Sequence, residues 1–165
     1  MIPSFVKLDF SELPALLCSF AYGGGYGVAV CLVKNLLKLI TSSSAGIGEL
    51  ANFLLGAVFV LTAGLIYSRR KSRKTALIGS LSGAALSAAV CFPINWFIVY
   101  PFYISAMGFP AEAILGMYRA ILPSTPSLAA AILIFNVPFT FLKFMISVGV
   151  AFLVYKYLSP ILKGK

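Results

Sequence analysis

The stretch Asn136–Tyr155, NVPFTFLKFMISVGVAFLVY, decides how this chain is read. A helix of about 20 residues rising about 1.5 Å each crosses a hydrocarbon core of roughly 30 Å. Lys143 stands inside that run, and the next downstream charge is Lys156. An ionisable residue at membrane depth costs roughly 2.5–3.5 kcal/mol on insertion scales, so its retention points to a functional site. Lys34, Glu49, Asn52, Asn95 and Asn136 sit in apolar surroundings in the same way.

Working outward, the rest of the chain has the same character. Of its 165 residues 61% are hydrophobic and only 10% are charged, and the mean hydropathy is +1.01. This predicts one integral membrane domain over residues 1–165, with no linker long enough to separate a second. Nothing alternates with period two, which argues against a transmembrane barrel and for an all-α bundle. The sequence has no His, the commonest general base and metal ligand. Cys18, Cys31 and Cys91 are scattered without a CxxC pair and read as buried, inert thiols rather than as redox or metal groups. With few carboxylates and no nucleophile beside a base, an enzyme is not expected.

The net charge of +9 is localised. Arg69–Lys74 (RRKSRK) is basic at five of six positions, and Lys163 and Lys165 end the chain. Between two membrane helices such a run is a positive-inside signal rather than a nucleic-acid patch, which places the loop and the C-terminus in the cytoplasm.

The segments follow. Ser11–Tyr22 is a short apolar helix with Ser11 as its N-cap. Gly23–Gly27 (GGGYG) breaks it. It follows a helix rather than a strand and lacks the Lys-Ser/Thr of a phosphate-binding loop, so a tight helical hairpin is its expected use. Tyr26–Ile40 is a second short helix and Thr41–Gly48 a loop. Ile47–Ser68 and Thr75–Tyr100 are full spans, the second with Pro93 expected to kink it. Pro101–Ser127 is a long connection with a short helix at Ala111–Ile121, and Leu128–Leu158 is the final span, interrupted by Pro138. Five crossings put the N-terminus outside. Met1–Glu12 (MIPSFVKLDFSE) then reads as an extracellular loop with no basic n-region, which predicts that a first helix is missing.

Gly79 and Gly83 form a GxxxG extended by Ser87, a face that lets helix backbones approach closely, within the fold or against a partner protein. Lys34 and Lys38 share one helix face. Lys38 can snorkel to the surface, whereas the deeper Lys34 serves either a structural pair or a site. Asn95, Thr140 and Lys143 are the expected site group. Asn95 lies towards the outer leaflet, Thr140 and Lys143 share a face, and Pro138 frees a backbone carbonyl beside them. Such a group suits a planar, heteroatom-rich ligand entering from outside; the alternative is an isolated interhelical hydrogen bond.

Lys34–Gly56 (KNLLKLITSSSAGIGELANFLLG) and Val6–Leu16 (VKLDFSELPAL) resemble the riboflavin-binding S-component of energy-coupling-factor (ECF) vitamin transporters. Ile94–Pro101 (INWFIVYP), Val137–Lys143 (VPFTFLK) and Tyr155–Leu162 (YKYLSPIL) match in order and spacing, so the resemblance spans almost the whole chain. It implies a six-helix membrane fold that takes riboflavin from outside as a transported ligand, with no cofactor. It also implies docking onto one transmembrane coupling subunit and two cytoplasmic ATPases. Carried over, the family's ligand contacts fall on Phe5, Glu12, Asn95, Thr140 and Lys143. Phe5 would wall the isoalloxazine, Glu12 would accept from ribityl hydroxyls, and Asn95 and Lys143 would meet the polar ring edge, where Lys can only donate. Thr140 stands where the family often has Asn. Alternatives are an S-component for another vitamin, or a membrane scaffold without transport.

Overall fold

The computed structural model describes residues 12–42 and 45–163, with side chains described as far as residue 153. The segment containing Phe5, and Ser11 as a cap, lie outside the described residues. All described elements are helical, and three of them are long and apolar enough to cross a membrane: Ile47–Arg69, Arg73–Ser105 and Leu128–Leu153.

The two short helices, α1 (Glu12–Tyr22) and α2 (Gly24–Leu39), form an antiparallel hairpin. Its hinge is narrower than the five-residue break expected from GGGYG. Only Gly23 leaves the helix, at φ +111°, a backbone conformation open to glycine. The following glycines belong to the first turns of α2.

α3 (Ile47–Arg69) packs between this hairpin and α4 (Arg73–Ile94). The basic loop between them ends in a capping box: Thr75 N–H donates to Ser72 Oγ at 3.2 Å, and Ser72 N–H donates back to Thr75 Oγ1 at 3.1 Å. The GxxxG face of α4 is consumed by this pairing. A Cβ on Gly79 would come within 2.8 Å of the Ala63 carbonyl and one on Gly83 within 2.6 Å of the Phe59 carbonyl. Ser87 Oγ donates to the Leu55 carbonyl at 3.0 Å. Of the two expected uses, internal packing is the one found.

Two spans contain π-turns. The first, Asn95–Val99, joins α4 to α5 (Tyr100–Ser105), and the second, Ile132–Asn136, joins α7 (Leu128–Ala131) to α8 (Val137–Lys163). In each, a backbone N–H reaches five residues back: Tyr100 to Asn95, Val137 to Ile132. Each begins six positions before a proline, Pro101 or Pro138. A proline has no N–H to donate and crowds the carbonyl four residues earlier; the widened turn relieves both. The helix therefore continues through Pro101 to Ser105, where a connection was expected, and its irregularity follows Pro93 rather than sitting at it. The remaining element, α6 (Ala111–Arg119), lies in the connection between the last two spans and is anchored by buried Ile114 and Tyr118.

Candidate functional site

Between α3, α4 and α8 lies a cavity lined on its polar side by Asn52, Cys91, Asn95, Asn136, Thr140 and Lys143. Ala51, Leu55, Val99, Phe139 and Phe144 supply its apolar lining. The π-turns place both asparagines here: Asn95 opens the first and Asn136 closes the second. One extra residue in a helical turn rotates everything after it by about 100°, so a π-turn re-aims side chains that regular periodicity sends elsewhere. The enclosed volume is about 80 Å³, below the roughly 300–1,000 Å³ of sites that bury a whole drug-sized ligand. A drug-sized ligand must therefore widen it or extend beyond it.

Two hydrogen-bonded networks hold the polar lining. In the first, Lys143 Nζ donates to Asn52 Oδ1. Asn52 Nδ2 donates to Asn35 Oδ1 at 3.1 Å, and Asn35 Nδ2 to the Cys31 carbonyl at 2.8 Å. Glu12, fully buried, pairs with Lys34 at 2.5 Å and lies 3.6 Å from Lys143. Its second oxygen accepts from Cys31 Sγ at 3.5 Å. A Cβ on Gly56 would lie 2.8 Å from the Glu12 carboxylate, so glycine there leaves the carboxylate its seat. A buried charge is tolerated only when it is paired, and here the carboxylate from α1 faces ammonium groups from α2 and α8.

In the second network Asn95 Nδ2 donates to the Cys91 carbonyl at 2.8 Å and to Cys91 Sγ at 3.2 Å. Cys91 Sγ and Thr140 Oγ1 are 3.2 Å apart. Asn136 Nδ2 donates to Asn95 Oδ1 at 3.1 Å, and Tyr118 OH donates to Asn136 Oδ1 at 2.9 Å.

Of the five residues expected at the site, Asn95, Thr140 and Lys143 line this one cavity. Glu12 is not among its lining residues; it opens helix α1 and stands beside Lys143. Phe5 lies outside the described residues. Lys34, open between pair and site, is paired with Glu12. Asn52 and Asn136 were visible as polar residues in apolar runs, but their convergence on Lys143 and Asn95 was not. Asn35 and Tyr118 carried no comparable signal. Glu49 accepts from Ser42 Oγ at 2.7 Å and so ties the end of α2 to the start of α3.

The family described as ECF transporter, substrate-specific component, matches residues 1–155. The chain belongs to that family. It is a family of transporter components, not of enzymes. The chain is 33% identical over 162 residues to the riboflavin transporter RibU of Staphylococcus aureus (strain TCH60), covering 98% of this chain and 79% of that relative. It is 28% identical over 162 residues to the riboflavin transporter FmnP of Bacillus subtilis (strain 168), covering 96% and 80%. Among solved structures, the S component of a bacterial ECF transporter superposes with a TM-score of 0.72 at 33% identity, over 98% of this chain and 82% of the other. The all-helical membrane bundle described above is thus the S-component fold.

Proposed function

We propose that this S component captures riboflavin from outside the cell and delivers it for ATP-driven uptake by a module of one transmembrane coupling subunit and two ATPases. The single observation that carries this reading is the convergence of Asn52, Asn95, Thr140 and Lys143 on one cavity inside a membrane bundle. Two relatives that are riboflavin transporters support it.

An isoalloxazine is flat and apolar at its dimethylbenzene end, with alternating donors and acceptors at the other. The cavity offers matching chemistry. Lys143 and the amide groups of Asn52 and Asn95 supply donors, the amide oxygens and Thr140 supply acceptors, and Phe139 and Phe144 supply apolar and aromatic surface. The ring's polar edge enters first, and the mouth widens around the remainder. Glu12 acts as a positioning residue that holds Lys143 rather than as a ribityl acceptor, because its carboxylate is already shared between two ammonium groups. The basic loop Arg69–Lys74 and the C-terminus face the cytoplasm in this arrangement.

The reading is tested by melting the purified, detergent-solubilised protein in the presence of riboflavin, riboflavin phosphate, thiamine or biotin. Ligand binding to the folded state raises Tm by mass action. Riboflavin should raise it most. A larger rise with thiamine or biotin reassigns the cargo, and no rise with any of the four removes the reading.

A further inference from the structure

We propose that Tyr118, on the connecting helix α6, is a positioning residue for the ligand: through Asn136 it holds the Asn95 amide oxygen in place at the cavity wall. The inference rests on the riboflavin reading above and adds a residue outside the cavity lining.

The direction of each bond from the Cys91 carbonyl to Tyr100 follows from the groups that make it. The Cys91 carbonyl can only accept, so Asn95 turns Nδ2 towards it at 2.8 Å and leaves Oδ1 facing Asn136. Asn136 must then offer Nδ2, at 3.1 Å. The same Nδ2 also donates to Tyr100 OH at 3.4 Å. The Oδ1 of Asn136 consequently faces Tyr118, whose hydroxyl donates at 2.9 Å. Having donated its one hydrogen, Tyr118 accepts from Tyr100 across 2.8 Å. All four side chains are buried. Tyr118, outside the long spans, has its phenol pushed well above the ordinary range by burial first and by the adjoining Tyr100 next, so it remains a neutral donor.

The two tyrosines are close neighbours with unequal consequences. Without the Tyr118 hydroxyl, Asn136 Oδ1 is a buried acceptor with no donor. The amide can escape that cost only by turning, which withdraws Nδ2 from Asn95. Asn95 then keeps Nδ2 on the Cys91 carbonyl but loses the donor that holds its Oδ1 at the cavity wall. Without the Tyr100 hydroxyl, the line Tyr118 to Asn136 to Asn95 stays whole. A structural role alone makes Tyr100 and Tyr118 equivalent; a positioning role separates them.

The experiment measures riboflavin affinity and the melting temperature of the ligand-free protein for the wild type, Tyr118→Phe, Tyr100→Phe, Asn95→Ala and the double variant Tyr118→Phe/Asn95→Ala. Tyr118→Phe is expected to weaken riboflavin binding about five- to tenfold, the equivalent of one buried hydrogen bond. Tyr100→Phe is expected to leave affinity within about twofold while lowering the melting temperature comparably. In the Asn95→Ala background the Tyr118→Phe effect should vanish, because residues acting through one another are not additive. Equal affinity losses for the two tyrosine variants, or an undiminished Tyr118→Phe effect in Asn95→Ala, overturn the inference and leave the riboflavin assignment standing. A wild type that does not bind riboflavin overturns both.

Discussion

Lys143 Nζ donates to Asn52 Oδ1 across 91 positions of sequence, joining the last span to the third helix at the cavity wall. Glu12 stands 3.6 Å from the same ammonium and is itself 2.5 Å from Lys34. The cation at the cavity wall is therefore held by a carboxylate and by an amide. Preorganised donors of this kind lose little freedom when a ligand arrives, which is where tight binding to a small polar edge originates.

Replacing Lys143 by Met keeps much of the side-chain volume and removes the donor. We expect riboflavin binding to weaken by about 1–3 kcal/mol, the range for leaving a buried partner unpaired. Glu12 keeps Lys34 in this variant, so the protein should stay folded. Calorimetric titration of the variant checks the affinity, and an unchanged affinity removes Lys143 from the site.

Lys34→Met acts on stability instead. It strips the fully buried Glu12 of its nearest cation, and breaking a buried ion pair typically costs about 3–5 kcal/mol. Lys143 remains 3.6 Å away, so the loss should fall towards the lower end. Adding Glu12→Gln should recover part of it by removing the stranded charge. Melting temperatures of the single and double variants test this, and a Lys34→Met protein as stable as the wild type contradicts it.

The α3–α4 interface makes a contrasting pair of glycine substitutions. Gly83→Val forces a side chain against the Phe59 carbonyl, where even a Cβ would come within 2.6 Å. Overpacking of this sort costs about 1–3 kcal/mol. Gly116→Ala lies on exposed α6 with nothing within 4 Å of the new Cβ, and should stabilise by about 0.5–1 kcal/mol through helix propensity. Thermal unfolding of both should give shifts of opposite sign; shifts of the same sign refute the packing account.

Much of this arrangement was legible in sequence because the bilayer permits few backbones. Long, largely apolar runs around Phe59, Ala84 and Phe144 mark helices, and Gly79, Gly83 and Ser87 mark a close helix contact. Lys143 was conspicuous because charge is rare at that depth. Which residues it would meet was not. Asn52 meets it directly and Asn35 through Asn52, by convergence of three helices, and no periodicity within one helix encodes that meeting. The π-turns were hidden for a related reason: Pro101 read as the end of a span, because a local rule cannot see the helix widen ahead of it and continue. The GGGYG run misled in the opposite sense, since one residue at positive φ suffices to turn the chain and the other glycines serve the first turns of α2.

The most direct test of the central claim is a riboflavin fluorescence titration of the purified wild type beside Asn95→Ala and Lys143→Met. Stacking and desolvation of the isoalloxazine should quench its emission to a saturating, one-site end point in the wild type. The midpoint should move to higher protein concentration in each variant by the tenfold expected for about 1.4 kcal/mol, or more. Three superimposable curves, or no quenching in any of them, contradict the assignment of this cavity as the vitamin's binding site.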